Sequence, residues 1–416
     1  MKLFVYASDV DETRPAGHAF TQTRRGRLSS TFAYDADYLA TTHAYALEPS
    51  LPLALGNWPL DTPLPRIFLD AAPDRWGRNL IDRRIAATAR ATHTAVRTAT
   101  ELDYLLGVSD IARQGALRFK TALDGPFEHP MDEVPKLVAL PVLLAASRSV
   151  AIDAADADEA VRTLLDLGSA SLGGARPKAV VRDGGRLRLA KFAHPHDRWN
   201  VIAWEKTALD LAELAGIAVP ARELLDVEGH PVLLVDRFDR TDDGHRVGYM
   251  SALTLCEADD GTRRDYLELA ERLTGISAAT QDDLAQLWRR IAFGIAINNT
   301  DDHLRNHGFL RSRRGWRLSP AFDLNPDPDG NRTHATPMGG ASLARPAAET
   351  LVATADAFGL SRTQAKRVAG EVVKAAREWR TSASRNRLAP AERDRFAPVF
   401  DLGAEALDDA VRQVPV

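Results

Sequence analysis

The sequence predicts an α+β chain whose first half carries the strands and whose second half is mainly helical. Three observations predict it. Before about residue 248, apolar and polar residues alternate with period two in short runs such as Gly26-Arg27-Leu28-Ser29-Ser30-Thr31-Phe32-Ala33-Tyr34. After it, apolar residues recur three and four apart, most clearly Leu284, Leu287, Trp288, Ile291 and Ile295. A length of 416 residues exceeds what one ordinary core organises, so two or three subdomains are expected.

Bulk properties narrow the class. With 45% hydrophobic and 26% charged residues the chain reads as soluble and globular. A net charge of −4 offers no global basic field for nucleic acid. Cys256 is the sole cysteine, so no disulfide can form within the chain, which fits a reducing cytoplasm. No apolar run approaches the roughly 18 residues of a membrane span, and Met1 to Tyr6 is too short for a signal peptide.

Taken in order, residues 1–125 read as a small α/β unit. It has strands at Leu3–Tyr6, Gly26–Tyr34 and Gly115–Lys120 and helices from Arg75 and from Thr98. Prolines 126, 130 and 135 mark a linker. Residues 136–240 open with helices near 139–149 and 157–167. A small-residue loop, Gly168-Ser169-Ala170-Ser171-Leu172-Gly173-Gly174-Ala175-Arg176-Pro177-Lys178, comes next. Such a loop lets backbone N–H groups approach an anion, although most Gly/Ser loops are only loops. Lys178–Arg182 and Leu187–Phe192 flank Asp183-Gly184-Gly185, a hairpin signal. Lys191 ends that hairpin, and Glu205 lies in the first turn of a helix from about 200 to 215. A second hairpin ends in Asp236-Arg237-Phe238, where an apolar strand runs into polar chain as a hinge would. Residues 241–416 complete a helical region, with a basic bias from Lys366 to Arg385.

The chemistry concentrates after the helix that carries the apolar stripe. Asn299-Thr300-Asp301-Asp302-His303-Leu304-Arg305-Asn306 holds a carboxylate with an amide five residues on, and Asp323 follows 17 residues later. Protein kinases space a catalytic Asp and a metal-binding Asn in this way, then add a separate metal-binding Asp. Asp and Asn are also common turn residues. The loop, the strand Lys with a helix Glu, and the Asp/Asn/Asp set occur together in the order of a two-lobed kinase, and the coincidence outweighs each part. Other constellations carry less. His303 and His307 stand four apart, yet no third soft ligand is near for zinc. Asp239-Arg240-Thr241-Asp242-Asp243-Gly244 starts like a calcium loop but has Met250 at its twelfth position. Cys256, between apolar neighbours, reads as a buried thiol.

With these residues in place, the sequence resembles the HipA family of bacterial serine/threonine kinases, the toxins of type II toxin–antitoxin modules. Pro73-Asp74-Arg75-Trp76-Gly77-Arg78 and Gly115-Ala116-Leu117-Arg118-Phe119 are similar to the family's N-terminal subdomain. Ser171 through Lys178 resembles its phosphate loop, Thr300-Asp301-Asp302-His303 with Asn306 its catalytic loop, and Phe322-Asp323 its metal-binding step. The resemblance implies a two-lobed protein-kinase-like fold with a small N-terminal α/β subdomain and a mainly helical C-terminal lobe. It implies that Asp301 is the base and that Asn306 and Asp323 hold Mg²⁺. Lys191 would contact the ATP phosphates with Glu205 orienting it. Gly173, Gly174, Ala175, Arg176 and Lys178 would cradle phosphates. Asp236, Arg237 and Phe238 would form the adenine hinge, and His303 would join the nucleotide site. Ser171, or Ser169, would be autophosphorylated. A HipB-like helix-turn-helix antitoxin is the implied partner, with operator DNA reached through it, and a cellular protein, an aminoacyl-tRNA synthetase in the family expectation, is the implied substrate. Arg176-Pro177 departs from the Gln-Glu of some members, and eukaryotic His-Arg-Asp and Asp-Phe-Gly triplets are absent. A small-molecule or lipid kinase with the same core is the alternative; a degenerate binding module fits poorly with the intact Asp301, Asn306 and Asp323.

Overall fold

The computed structural model describes residues 1–8, 12–129, 134–167 and 176–413. The chain divides into two compact units: Met1–His196 with Leu225–Met250, and Asp197–Leu224 with Ser251–Val416.

The first unit contains two sheets. One is antiparallel: β1 (Lys2–Ser8), β2 (Thr13–Arg24), β3 (Arg27–Tyr34), β4 (Trp58–Pro59) and β5 (Leu117–Lys120), in the order β4-β3-β2-β1-β5. Strand β2 lies at the centre of this sheet and has no clean alternating signal in the sequence, because Pro15 and Gly17 interrupt it. A bulge resolves the proline: Val5 pairs with Gly17 and Tyr6 with Pro15, and the register shifts between them. Gly17 is required for a different reason, since a Cβ there would stand 2.3 Å from the Ala33 carbonyl oxygen on β3. The helix Arg75–Ala91 starts at Asp74, whose carboxylate accepts from the Gly77 N–H at 3.2 Å. The helix Glu101–Leu106 begins with a reciprocal capping box between Thr100 and Asp103.

The second sheet comprises β6 (Lys178–Asp183), β7 (Arg186–Phe192), β8 (Arg222–Val227) and β9 (His230–Asp236), in the order β6-β7-β9-β8. The expected Asp-Gly-Gly turn joins β6 to β7, with Gly184 at φ 57°. One face of this sheet, carrying Val181, Ala190, Phe192, Val232 and Leu234, packs on the helices Leu140–Ala151 and Ala157–Asp166 through Leu143, Leu144, Val161 and Leu164.

The second unit is mainly helical and carries the short antiparallel hairpin of Gly308–Ser312 and Gly315–Leu318. Its central element is the helix Thr280–Ala296, whose Leu284, Leu287, Trp288, Ile291 and Ile295 are all buried, as the stripe predicts. The helix Val201–Leu214 belongs to this unit because Trp204 stacks on Phe396 at 4.0 Å and on Phe400 at 5.8 Å, both from the helix Pro390–Gln413. Among the described residues no helix is long and apolar enough to cross a membrane.

Candidate active site

The segment after Thr280–Ala296 is held by a dense polar network. Asn298 turns the chain with φ 53°, and its amide donates to the carbonyls of Asp327 at 2.8 Å and Asp329 at 3.1 Å. Asparagine is among the few side chains that adopt this left-handed conformation readily. Asn299 Oδ1 accepts from the Asn325 N–H at 3.3 Å, and the Ala335 N–H donates to the Thr300 carbonyl at 2.8 Å. Residues 298–300 are thereby tied to 325–335, so the carboxylates on either side of the gap are fixed relative to one another.

Asp301 and Asp302 are neighbours with opposite environments. Asp302 is buried, bonded to the Tyr266 hydroxyl and 3.1 Å from His307 Nε2; Thr336 Oγ1 donates to its carbonyl at 2.6 Å. Burial raises its pKa, but His307 and the hydroxyl outweigh that and hold it below the ordinary range. Asp302 is therefore the structural member of the pair. Asp301 is exposed to solvent at its edge. Partial enclosure of its carboxyl pushes its pKa up; nearby His303 opposes the rise and the Asp323 carboxylate adds to it. Asn306 ends a 3₁₀ turn, Leu304–Asn306, and its amide Nδ2 donates to the Asp301 carbonyl at 3.1 Å. Asp323 sits at φ 56°, and Asn325 Nδ2 donates to its Oδ1 at 3.3 Å. The structure thus brings Asp301, Asn306 and Asp323 into one network within the second unit, with exposed His303 beside it. The Leu304–Asn306 turn keeps His303 and His307 off any common helix face, and His307 is engaged with Asp302.

Sequence reasoning missed several supporting residues. Asn325, Asn299 and His334 carry buried polar atoms without hydrogen-bond partners, namely Asn325 Oδ1, Asn299 Nδ2 and His334 Nε2. Asn325 lies in the run Asp323-Leu324-Asn325-Pro326-Asp327, which reads as a plain turn, Asn299 opens the candidate loop without a role of its own, and His334 has no local signal.

The other expected site residues lie as follows. Lys191 is half-buried near the end of β7, in register with Lys178 on β6 and Leu233 on β9. Glu205 is buried on the helix Val201–Leu214. Lys178 is buried and its ammonium lies 2.8 Å from Asp74, the residue that caps the helix Arg75–Ala91. Asp236 pairs with Arg188 at 2.8 Å, while the Arg237 N–H donates to the Leu187 carbonyl at 3.1 Å and its guanidinium binds Asp239 and the Ala112 carbonyl. Phe238 lies 6.4 Å from the Tyr249 ring. Asp239, the head of the calcium-like run, is buried between Arg237 and Arg240. Cys256 is buried, and desolvation raises its thiol pKa to about 12. Arg176 is half-buried. Ser169, Ser171, Gly173, Gly174 and Ala175 fall outside the described residues. In the basic C-terminal stretch, Arg367 pairs with Glu371 at 2.8 Å, Arg377 with Asp408 and Arg380 with Asp401 at 3.6 Å.

A carboxylate with a raised pKa, an amide-braced loop and a second carboxylate on a fixed turn thus come together in the second unit of an α+β, kinase-like fold. Comparison with known proteins specifies the family. The HipA-like C-terminal domain matches residues 170–380 and the HipA N-terminal domain matches residues 10–107. The chain belongs to the HipA family. Y4mE of Sinorhizobium fredii, which bears a provisional kinase name, is 27% identical over 334 residues, 73% of each chain. Y4dM of the same organism, named likewise, is 31% identical over 135 residues, 29% of this chain and 32% of its own. A chain from the Shewanella oneidensis toxin–antitoxin complex of HipA, HipB and operator DNA shares the fold over 100% of both chains, with a TM-score of 0.62 at 16% identity.

Proposed function

We propose that this protein is an ATP-dependent serine/threonine-protein kinase and the toxin of a type II toxin–antitoxin pair. The observation that carries the reading is the network joining Asp301, Asn306 and Asp323. The carboxyl of Asp301 is accessible and raised in pKa, which suits a base that accepts the proton of a substrate hydroxyl. Asn306 braces the loop on which that base is mounted, and the last two turns of the helix behind it, Arg290 to Ala296, are buried, so the carboxyl is held in place before substrate arrives.

The residues present suit Mg²⁺. Asp301 and Asp323 repel one another, and the partnerless oxygen of Asn325 lies beside Asp323. Mg²⁺ takes few carboxylates and completes its shell with water and substrate phosphates. Asn306 and Asp323 would hold it, and when bound it would neutralise charge developing on the transferred phosphoryl group. Lys191 would meet the α- and β-phosphates. The loop from Gly173 to Lys178 would cradle the phosphates, and Asp236–Phe238 would face the adenine through backbone groups, since the Arg237 side chain is engaged elsewhere. Ser171, with Ser169 second, would take up a phosphate whose charge of about −1.5 to −2 repels ATP, giving an inactive form. By analogy with the Shewanella oneidensis complex, a HipB-like antitoxin would hold the kinase on operator DNA.

Transfer of labelled γ-phosphate from ATP into a bacterial lysate tests the reading. Label in protein bands with wild type, lost with Asp301→Asn, is the expected result. Label confined to small molecules favours a metabolite or lipid kinase, and equal label with both proteins removes Asp301 from the chemistry.

A further inference from the structure

A second polar centre lies wholly within the first unit, at the turn end of the β6–β7 hairpin. It is a cavity of about 310 Å³, at the lower end of the range for small-ligand sites. Six arginines line it, against three carboxylates: Asp110, Asp236 and Asp242. The carboxylates are oversubscribed. Asp110 serves both Arg118, at 2.6 Å, and Arg246, at 3.4 Å. Asp236 serves Arg188 at 2.8 Å and Arg186 at 3.4 Å, and Arg186 also lies 3.5 Å from the exposed Asp242. Behind the wall, Asp239 is shared by Arg237 and Arg240. Arg182 lines the cavity with no carboxylate partner among the described residues, and Arg186 remains 59% exposed. Burial pushes the Arg240 pKa down to about 9 and that of Arg246 to about 10. These cations have lost water without gaining a full complement of anions.

We propose that this cavity is a binding site for a small phosphate-bearing anion, with Arg182 and Arg186 as its recognition pair and the shared-carboxylate arginines as its floor. Guanidinium groups present paired donors that match phosphate oxygens, and a pocket with surplus positive charge and low-dielectric walls strengthens each contact. The cavity shares Asp236 and Arg237 with the proposed adenine hinge, but its recognition pair is distant from Lys191, the proposed phosphate contact. Lys178 and Lys191 pair at one end of the β6–β7 hairpin and Asp183 and Arg186 at the other, so Arg186 stands roughly 17 Å along the strand from Lys191 at about 3.3 Å per residue.

Calorimetric titration of the full chain with inorganic phosphate and with pyrophosphate, without nucleotide or Mg²⁺, decides it. Wild type and Lys191→Ala should both bind pyrophosphate, and the pair Arg182→Ala with Arg186→Ala should lose about tenfold or more in affinity. The pair Arg182→Lys with Arg186→Lys should retain part of it, and melting curves should show both double variants folded. Tighter binding of pyrophosphate than of phosphate indicates a ligand with adjacent phosphates; the reverse indicates a single phosphoryl group. The inference is overturned if wild type binds neither anion or if the double Ala variant binds as wild type does. It is also overturned if Lys191→Ala abolishes binding, which would place the anion in the nucleotide site and leave the kinase reading standing.

Discussion

The segment around Asp301 and the arginine cluster both bury charge, and they do so over different distances along the chain. In the segment from Asn298 to Thr336 the partners are near in sequence. Asn306 meets Asp301 five residues away, Asn325 meets Asn299 across 26, and Tyr266 meets Asp302 across 36. In the arginine cluster they are remote: Gly115 donates to Asp239 across 124 residues, Arg237 to Ala112 across 125, and Arg246 to Asp110 across 136. The first network positions groups that remain partly unsatisfied, with lone polar atoms on Asn299, Asn325 and His334. The second uses guanidinium groups to close backbone carbonyls of residues 110–115, and Arg113 alone caps the carbonyls of Ala71, Leu105 and Val108. The local network holds unmet donors and acceptors beside Asp301 and Asp323, whereas the long-range one spends many of its donors on carbonyls and builds the floor of the arginine-lined cavity.

Substitution at the two centres should separate these roles, and the largest effect is expected at Asp301. Asp301→Asn should lower phosphotransfer by about 10²–10⁴-fold through loss of the base, while the circular dichroism spectrum stays that of wild type. Retained transfer would reduce Asp301 to a turn residue. Asp323 sharpens the point because it occupies φ 56°. Asn tolerates that conformation and Ala does not. Asp323→Asn should therefore lose Mg²⁺-dependent ATP affinity by about tenfold or more with little change in Tm, whereas Asp323→Ala should lose both. Unchanged Mg-ATP titrations with Asp323→Asn would count against metal binding at this carboxylate.

At Asp239, beneath the arginine-lined cavity, the expected effect is on stability. Asp239 is 3% exposed and stands between two guanidinium groups while accepting the Gly115 N–H at 2.7 Å. Desolvation alone would raise its pKa; Arg237 and Arg240 overcome it and hold the carboxyl well below the usual range. Removing it in Asp239→Ala leaves buried cations without their anion and should destabilise the first unit by roughly 3–5 kcal/mol. Because the folded pKa is depressed, the stability Asp239 contributes is present above the unfolded carboxylate pKa and is lost as the pH falls through the folded one. Urea melts of wild type and Asp239→Ala should therefore differ most near neutrality. Equal midpoints there would show that the arginines find other partners.

The contrast in sequence separation also explains what could be read without coordinates. The helix Thr280–Ala296, the hairpin around Gly184 and the Asp301/Asn306/Asp323 set were legible because each depends on periodicity or short spacing. Strand β2 was not, since its Pro15 and Gly17 are explained only by a bulge against β1 and a close approach to β3. The role of Asp74 was also hidden: it caps one helix and pairs with Lys178, 104 residues away. Arg237 and Asp239 looked like hinge and turn residues, and their partners at 110–115 leave no trace in local pattern.

The smallest expected effect is a pH-dependent gain in stability, and it tests whether Asp301 is held in an unfavourable state. Partial burial and the facing Asp323 carboxylate raise the Asp301 pKa in the folded chain, and His303 only partly opposes them. A carboxyl raised above its unfolded value of about 3.9 favours folding while protonated. That contribution is fully present below the unfolded pKa and disappears as the pH rises through the folded pKa. Near neutrality the wild type therefore carries an ionised group that its surroundings disfavour, as active sites commonly do. Asp301→Asn keeps the shape and removes the charge, so its Tm should exceed that of wild type at pH 7.5. The gap should narrow as the pH falls, because the wild-type carboxyl becomes neutral and the two proteins converge electrostatically. Melting curves without nucleotide or Mg²⁺, taken from pH 4 to 7.5, check both parts. A lower Tm for Asp301→Asn at pH 7.5 would mean that His303 outweighs burial and Asp323, and Asp301 would then join Asp239 as a carboxylate whose charge holds the fold together.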